Sequence, residues 1–237
     1  MVIDLEDAVA PADKERAREN LIAWLTPARA VILRINGVET PWFAEDLALC
    51  ARPGVAGVMI PKAEQPEALA AVTRAGARFL LPLIESAAGF ASLGALAAVP
   101  GVSCMAFGSI DFQVDLGMRD ALEEELLPFR TQLVLASRLG GIGAPIDGVS
   151  AAIDDEARLR DDVLHARRLG FGGKLCIHPR QVPTVNQLFA PSAEELTWAR
   201  RVLAAAFASG GAAIAVDGKM VDKPVLLRAE AILRETT

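Results

Sequence analysis

The chain carries the run Phe79-Leu80-Leu81-Pro82-Leu83-Ile84-Glu85 and, one short segment later, the run Ser103-Cys104-Met105-Ala106-Phe107-Gly108-Ser109-Ile110-Asp111. An apolar run of this kind, bounded by turn residues, is typical of a strand buried on both faces of a parallel sheet. The carboxyl ends of such strands form the face on which α/β barrels build their active sites. We therefore expect Glu85 and Asp111 to converge on one divalent cation, and hard oxygen ligands that leave room for water and substrate favour Mg²⁺.

Composition sets the class of protein. The 237 residues match one large α/β domain, and 52% hydrophobic with 23% charged residues indicates a globular chain. A net charge of −6 without a basic tract argues against a nucleic-acid partner. Three cysteines without motif spacing fit a reducing compartment, and charge from Asp4 onward argues against a signal peptide. We expect a cytoplasmic protein.

Residues 86–110 carry no charge and are long enough to be mistaken for a membrane span. Pro100-Gly101 interrupts the segment, and Ala, Gly and Ser dominate its first half. This composition predicts a short helix followed by a buried strand, so we expect no membrane partner.

The opening segment Val2-Ile3-Asp4-Leu5-Glu6-Asp7 reads as a strand that ends in acids. Asp4 and Glu6 alternate with apolar residues and so share one face of the strand, and Asp7 follows in the loop. Each acid alone could be a helix cap or a solvated loop residue. Three acids at one strand end favour a functional site.

Two cations follow the next two strands. Arg34 ends the strand at 30–35, where it is either an ion-pair partner for the acids or a bidentate clamp for an anionic substrate. Lys62 follows the strand at 55–60 and could be a Schiff-base amine. The nearby acids favour the alternative, a fixed cation that orients carboxylates.

The strands alternate with segments that have helix-start and helix-stop signals. The helices are expected at 13–25, from Thr40-Pro41 with Thr40 as N-cap, at 66–76, at 122–139, from Asp154-Asp155 to Leu169, and from a Ser192/Glu195 capping box through Phe207 to Gly210-Gly211. The segment after Asp111 is expected to be a polar connection. His165 is expected at the surface and Asp147 in a structural role.

His178 follows the last strand and is either a structural hydrogen-bonding residue, which is the commoner role, or a base. With only two histidines and no Cys-x-x-Cys motif, the sequence does not favour a zinc site.

Seven strands emerge, whereas a closed (β/α)₈ barrel has eight. The strands lie near residues 2–5, 30–35, 55–60, 79–84, 103–107, 145–149 and 173–177. Either the first strand–helix unit is missing or the barrel is open, and we expect a missing first unit. Residues 1–190 then form a TIM-barrel domain. Residues 191–237 form a C-terminal helical arm, with a polar turn segment over 214–224 and a helix from about 225, packed on a neighbouring subunit.

Several ordered motifs resemble the HpcH/HpaI aldolase and citrate lyase superfamily, in its citrate lyase beta-subunit-like branch. The motifs are Asp4-Leu5-Glu6-Asp7-Ala8-Val9, Arg34-Ile35-Asn36, Pro61-Lys62, Ile84-Glu85-Ser86, Phe107-Gly108-Ser109-Ile110-Asp111, Cys176-Ile177-His178-Pro179-Arg180-Gln181 and Gly218-Lys219-Met220-Val221-Asp222-Lys223-Pro224. That branch includes malyl-CoA, citramalyl-CoA and citryl-CoA lyases. This chain departs from the family pattern in two ways. It lacks the first strand and the arginine that this strand carries, and it has Gly108-Ser109-Ile110-Asp111-Phe112 where the commoner form is Gly-x-Glu-Asp-Leu.

The resemblance implies a trimeric or hexameric (β/α)₈ barrel that holds Mg²⁺ through Glu85 and Asp111. It implies catalytic roles for Arg34, Glu6 and Asp222, where Asp222 of the tail reaches a neighbour's active site as acid/base. It also implies that the substrate is bound by Arg34, Lys62, Glu85, Asp7 and His178. Glu6 and Asp7 would lie near the metal and interact with it mostly through waters.

The implied activity is a Mg²⁺-dependent carbon–carbon lyase that cleaves a 3-hydroxyacyl-CoA thioester to acetyl-CoA and a 2-oxoacid. The tail motif around Asp222 favours this CoA branch. Two alternatives are a CoA-independent aldolase that releases pyruvate from hydroxy-oxo-diacids, and a non-catalytic subunit of a lyase complex.

Overall fold

The computed structural model describes residues 1–208 and 214–235, and its centre is a seven-stranded parallel sheet. The strands are β1 Val2–Asp4, β2 Val31–Arg34, β3 Val55–Ile60, β4 Leu80–Ile84, β5 Ala106–Phe107, β6 Ile146–Asp147 and β7 Gly173–Lys174. They lie in sequence order, each beside its neighbours along the chain. This order results when a helix crosses over between successive parallel strands, and all seven predicted strands are confirmed.

The helices of the described residues cover the outer face of this sheet or follow it in the chain. They are α1 Lys14–Trp24, α2 Phe43–Asp46, α3 Pro66–Arg74, α4 Ala87–Ala91, α5 Leu93–Ala97, α6 Ser109–Asp115, α7 Glu123–Leu139, α8 Glu156–Leu169, α9 Gln181–Phe189, α10 Ala193–Ala208 and α11 Lys223–Arg234. None of these helices is long and apolar enough to cross a membrane.

Three local expectations are wrong. The segment after Asp111 is not a polar connection, because α6 already begins at Ser109. Thr40 does not cap a helix: its hydroxyl donates to the Gly37 carbonyl, and α2 begins only at Phe43. His165 is not a surface residue but half-buried, and its Nε2 has no hydrogen-bond partner within the described chain.

Alternate residues of the strands pack on opposite faces of the sheet, as the pleat requires. Leu33, Ile84 and Phe107 pack outward in the main core, where Phe107 contacts the rings of Phe90 and Phe112. A smaller apolar cluster occupies the inner face, and its members are Ile32, Met59, Leu81, Leu83, Cys104, Ala106, Ile146 and Leu175. The strand that precedes Glu85 is therefore buried on both sides.

Asp147 alternates with the inward residue Ile146 and lies buried on the outer face of the sheet. Arg130 of α7 donates from Nε at 2.9 Å and Lys174 of β7 from Nζ at 3.1 Å, and Arg130 also pairs with Glu123. A buried carboxylate needs such partners. This arrangement supports the structural role expected for Asp147.

β1 pairs only with β2, and β7 pairs only with β6, among the residues that the structure describes. The structure thus shows an α/β fold with a parallel half-barrel sheet of seven strands. Its strand order is that of a TIM barrel.

The C-terminal part of the chain contains a hairpin that was not expected. β8 Ile214–Val216 and β9 Lys219–Val221 pair antiparallel in place of the predicted polar turn segment. Asp217 and Gly218 both have positive φ, which is the geometry of the Asp-Gly hairpin turn. α10, α11 and this hairpin share an apolar cluster that includes Val202, Val221 and Ile232.

The start of α10 follows the prediction closely. Glu195 N donates to Ser192 Oγ at 3.1 Å, and Ser192 N donates to a Glu195 carboxylate oxygen at 2.8 Å, so the capping box is confirmed. Arg167 of α8 pairs with the same Glu195 at 2.8 Å. The predicted helix stop at Gly210-Gly211 lies outside the described residues.

Candidate active site

Asp4 and Arg34 form a two-pronged ion pair between the carboxyl ends of β1 and β2. Arg34 Nε lies 2.8 Å from one Asp4 oxygen, and Nη2 lies 2.5 Å from the other. The two residues are paired in the β1–β2 register, so their side chains leave the same face. Burial alone would raise the pKa of Asp4, but the Arg34 hydrogen bond and charge outweigh it and lower that pKa. Of the two roles considered for Arg34, the ion pair with the acids is present in the structure.

The remaining nitrogen of Arg34 faces the other acids of the opening segment. Nη1 lies 2.9 Å from Oε2 of Glu6 and 3.7 Å from Oδ2 of Asp7. Glu6 Oε2 is nevertheless buried without a hydrogen-bond partner in the described chain, because the short distance to Nη1 lacks hydrogen-bond geometry. A buried carboxylate oxygen in this state has capacity for another ligand.

Glu85 ends β4 and is 4% exposed. The backbone N–H of Lys62 donates to Glu85 Oε1 at 2.7 Å, which ties the loop after β3 to the end of β4. Lys62 adopts a φ of +44°, and this left-handed turn directs its N–H. Glu85 is thereby held at the carboxyl edge of the sheet, as its position in the sequence predicted.

Gly108 makes space for the Glu85 carboxylate. A methyl group at position 108 would lie 2.5 Å from Glu85 Oε2 and 2.6 Å from its Cβ. Gly108 also joins β5 to α6, and its N–H donates to the Ile84 carbonyl at 2.9 Å. Glycine at this position therefore lets the end of β4 and the loop after β5 approach each other closely.

Asp111 lies in the first turn of α6 and is exposed. Its charge contributes to the raised pKa of Glu85, so the two carboxylates interact electrostatically. That they share one divalent cation stays a prediction.

The acids of the site share one electrostatic environment. Burial raises the pKa of Glu85 to about 8, and the charges of Glu6 and Asp111 add to this, while the Lys62 N–H and Arg34 oppose it. Burial likewise raises the pKa of Glu6 to about 7, with Arg34 and Lys62 opposing it and Asp7 and Asp4 adding to it. Without a further cation, this cluster has more carboxyl groups than the local positive charge can balance.

The side chain of Lys62 extends into solvent, half exposed, with Nζ 3.9 Å from Glu39 Oε1. A Schiff-base lysine needs a desolvated amine or a neighbouring cation, and neither is present here. The geometry favours the fixed-cation interpretation of Lys62.

His178 belongs to a turn after β7. Its Nδ1 accepts from the Arg180 N–H at 3.1 Å, and its own N–H donates to Gln181 Oε1 at 3.3 Å. The neutral ring therefore carries its proton on Nε2. These contacts are local to the turn, and they do not join His178 to Arg34 or Glu85.

Asp222 is the N-cap of α11, where its Oδ1 accepts from the Val225 N–H at 3.3 Å. The side chain is exposed and belongs to the C-terminal part of the fold. The structure of one chain does not bring Asp222 into the cluster of Arg34, Glu6 and Glu85.

The donor set of the cluster fits Mg²⁺. Mg²⁺ prefers oxygen ligands and binds proteins through one or two carboxylates while it keeps several waters. Glu85 and Asp111 supply two carboxylates, and Glu6 Oε2 is a buried oxygen without a hydrogen-bond partner in the described chain. Within residues 1–208 and 214–235, no group of three or more His, Cys, Asp or Glu side chains is arranged so that it could hold a metal ion. A cation held by Glu85 and Asp111 would therefore take the rest of its shell from water and substrate.

The model of the HpcH/HpaI aldolase/citrate lyase family matches residues 1–179. The chain belongs to this family. A citrate lyase subunit beta-like protein of Mycobacterium tuberculosis is 37% identical over 241 residues, which span 99% of this chain and 86% of the relative. A (3S)-malyl-CoA thioesterase of Cereibacter sphaeroides is 34% identical over 255 residues, 98% of this chain and 87% of the relative. The family resemblance seen in the sequence motifs is thus confirmed.

A solved structure shares the fold over nearly the whole chain. CitE from Mycobacterium tuberculosis, in complex with magnesium, acetoacetate and coenzyme A, has a TM-score of 0.84 and 36% identity, and the match covers 99% of this chain and 88% of that chain. The half-barrel sheet described above is therefore the sheet of a CitE-like fold.

Sequence reasoning missed two residues that shape the site. Gly108 lies between an apolar run and a helix, and a glycine at such a position is the signal of a close backbone approach. Lys14 follows Asp13 in a charged helix start and has no motif that marks it. Its position beneath the site is visible only in three dimensions.

Proposed function

We propose that the chain is a Mg²⁺-dependent carbon–carbon lyase that cleaves a 3-hydroxyacyl-CoA thioester of the malyl, citramalyl or citryl type. The products are acetyl-CoA and a 2-oxoacid. The observation that carries this proposal is the group of charged residues Arg34, Glu6 and Glu85 at the carboxyl ends of β1, β2 and β4, together with Asp111, whose charge helps raise the pKa of Glu85. Membership of the citrate lyase family and the magnesium and coenzyme A complex of CitE support it.

Arg34 would recognise the anionic end of the substrate. Its Nε and Nη2 are engaged by Asp4, so the plane of the guanidinium is held in one orientation. Nη1 faces Glu6 Oε2 at 2.9 Å without forming a hydrogen bond to it, so this nitrogen could also donate to a substrate oxygen. Fixed positive charge at the position where an oxyanion develops lowers the barrier without reorganisation.

Glu6 would act as the base in the cleavage direction. A base works best when its pKa is close to the operating pH, and burial raises the pKa of Glu6 to about 7. Glu6 takes the 3-hydroxyl proton, the bond between the α and β carbons breaks, and its electron pair passes to the thioester fragment. That enolate gains a proton from an acid and becomes acetyl-CoA, while the other fragment leaves as the 2-oxoacid.

Glu85 and Asp111 would hold Mg²⁺, with Glu6 and Asp7 near it through waters. When bound, the metal supplies Lewis-acid stabilisation of negative charge on substrate oxygens. Lys62 would contribute a fixed positive charge at the rim, and His178 a hydrogen-bond donor from Nε2.

The acid for the enolate would be Asp222 of a neighbouring subunit. The C-terminal part of the chain has a separate apolar cluster, and its exposed side chains include Phe207, Met220 and Leu227. We propose that residues 191–237 form an arm that packs on another copy in a homotrimer or hexamer. In this proposal residues 1–190 form the barrel domain.

A thioesterase is the second candidate, because a relative of 34% identity is a (3S)-malyl-CoA thioesterase. In that reaction water attacks the thioester carbonyl, and the thiol of CoA leaves with the hydroxyacid intact. The CoA-independent aldolase and the non-catalytic subunit remain as further alternatives.

The experiment is a product analysis with malyl-, citramalyl- and citryl-CoA, each with Mg²⁺ and with EDTA. Metal-dependent release of acetyl-CoA and a 2-oxoacid in equal amounts supports the lyase. Free CoA with the intact hydroxyacid supports the thioesterase. Cleavage of 4-hydroxy-2-oxo-diacids alone supports the aldolase, and no turnover by a folded protein that binds Mg²⁺ overturns all three enzymes.

A further inference from the structure

Lys14, the first residue of α1, carries a buried ammonium group directly beneath the candidate site. The residue is 5% exposed, and its Nζ donates to the carbonyl of Leu5, the carbonyl of Glu6 and Oδ1 of Asn36, each at 2.7 Å. These three bonds use all three donors of the ammonium. No carboxylate within the described residues forms an ion pair with it.

Asn36 connects this ammonium to a second buried charge. Its backbone N–H and its Nδ2 donate to one Asp46 oxygen at 2.9 and 2.6 Å. Asp46 is fully buried, and its other oxygen lies 3.3 Å from Nη1 of Arg18. Lys14 is thus one end of a polar chain that joins α1, the end of β2 and α2.

The acceptors of Lys14 come from the two segments that carry the Arg34–Glu6 pair. The Leu5 and Glu6 carbonyls belong to the loop that directs the Glu6 carboxylate, and Asn36 lies two residues after Arg34. One buried cation therefore joins the backbone of residues 5 and 6 to the side chain of Asn36. Both segments also carry a member of the Arg34–Glu6 pair, in which Nη1 and Oε2 are 2.9 Å apart.

A buried ammonium is expensive to desolvate, and an apolar side chain of similar length would fill the same volume at lower cost. The three short hydrogen bonds fix the positions of their acceptors relative to one another, and an apolar side chain cannot do this. The ring of Trp42, with its centroid 5.0 Å from Nζ, adds a cation–π contact on another side.

We infer that Lys14 is a positioning residue that sets the geometry of the Glu6 carboxylate against the Arg34 guanidinium without touching the substrate. This inference rests on the proposed function, because it assigns Lys14 to the proton-transfer and anion-binding half of that site. Glu85 follows β4 and Asp111 lies in α6, and none of the hydrogen bonds that Lys14 makes within the described residues goes to either segment. Metal binding should consequently depend on Lys14 far less than turnover does, because Glu6 would reach the metal only through waters.

The test compares Lys14→Met with Lys14→Arg and with the control Arg16→Met, which removes an exposed cation from the same helix. We expect Lys14→Met to lower kcat by about 10²-fold, the usual cost of a misplacement near 1 Å. Its Mg²⁺ affinity from calorimetry should stay within about three-fold of the parent protein. Lys14→Arg keeps the charge but cannot match three converging acceptors, so it should not restore kcat.

A fall in thermal stability of Lys14→Met with an unchanged kcat for the folded protein would show a merely structural role and overturn the inference. Equal losses of kcat and Mg²⁺ affinity would also overturn it, since the effect would then reach Glu85 and Asp111.

A crystal structure of Lys14→Met gives a readout that does not need turnover. The expected result is a displaced loop over residues 5–7 relative to Arg34, with the Lys62–Glu85 hydrogen bond retained. An unmoved loop overturns the inference. If the parent protein cleaves none of the thioesters, the proposed function fails, and this structure still decides the role of Lys14.

Discussion

The backbone of Gly108 lies so close to Glu85 that a methyl group at position 108 would be 2.5 Å from Oε2 of the carboxylate. The contact joins the residue after β5 to the residue after β4. A side chain at position 108 would therefore occupy the space that the Glu85 carboxylate now fills. The orientation of the proposed metal ligand is therefore set by the absence of a side chain on the neighbouring loop.

Gly108→Ala should displace the Glu85 carboxylate and weaken Mg²⁺ binding by about ten-fold or more, the usual scale for a disturbed ligand environment. Calorimetric titration with Mg²⁺ measures the change. Gly94→Ala is the matched control, because no atom lies within 4 Å of the position where its methyl group would be. The explanation fails if both alanine variants bind Mg²⁺ like the parent protein.

The stability of the metal-free protein should fall as the pH rises from about 4.5 to about 8. Burial raises the pKa of Glu85 from 4.5 to about 8, so the folded chain binds more protons than the unfolded chain across this range. Each such carboxyl lowers the free energy of unfolding by up to ~1.4 kcal/mol per pH unit. Urea unfolding in EDTA at several pH values measures the slope.

Glu85→Gln keeps the side-chain shape but does not titrate at this position. The free energy of unfolding of this variant should therefore fall less steeply with pH. Part of the slope should remain, because burial also raises the pKa of Glu6 to about 7. Replacement of the exposed Glu15 by Gln serves as the control. If the free energy of unfolding changed with pH equally in Glu85→Gln and the parent protein, the raised pKa of Glu85 would not be the cause.

Arg34→Lys should reduce kcat/KM by about 10²-fold, the scale for the loss of one preorganised donor to a developing charge. Lysine keeps the charge but loses the fork that grips both Asp4 oxygens. Steady-state kinetics with the cleaved thioester measure the effect, with exposed Arg16→Lys alongside. Full activity of Arg34→Lys would remove the guanidinium geometry from the mechanism.

Arg130→Met should destabilise the fold by about 3 kcal/mol, because it leaves buried Asp147 with Lys174 as its one remaining cation among the described residues. Urea unfolding measures this loss. The pair lies on the outer face of the sheet, so kcat/KM of the folded protein should change by less than about two-fold. Arg138→Met, exposed on the same helix, is the control. A large loss of kcat/KM at unchanged stability would contradict the structural role.

Two inactive variants should complement each other if the arm is exchanged between subunits. Asp222→Ala lacks the acid from one chain, and Glu85→Gln lacks a metal ligand from the other. Mixed oligomers would contain sites with both residues intact, so activity should return after the two proteins are mixed under conditions that allow exchange. The shared site would be excluded if Asp222→Ala were active by itself. It would also be excluded if oligomers shown to contain both variants had no activity.

The strand ends that carry Asp4, Arg34 and Glu85 were predictable because each follows an apolar run whose period fixes both the strand and the side that the polar residue faces. The helix that holds Asp111 was not, since Ser109-Ile110-Asp111-Phe112 lacks a clear start signal and the helix depends on packing of Phe112 in the core. β5, β6 and β7 have two residues each, shorter than their apolar segments indicated.

The hairpin around Asp217-Gly218 was signalled by the Asp-Gly pair between apolar residues, and the polar-turn interpretation overlooked it. Gly108 and Lys14 illustrate a different limit. A close approach between two loops and a buried ammonium both depend on which segments meet in space, and neither leaves a periodic pattern in the sequence.

The acids and the arginine that form the cluster around Glu85 all come from the first 111 residues, through β1, β2, β4 and the start of α6. His178 and Asp222, from later segments, are not joined to that cluster within one chain. A chimaera of two relatives with a crossover in the loop between α6 and α7 would consequently inherit its ionic centre intact from one parent. In such hybrids the catalytic chemistry comes from the first parent. Any change in the preferred acyl group can then be assigned to the second parent.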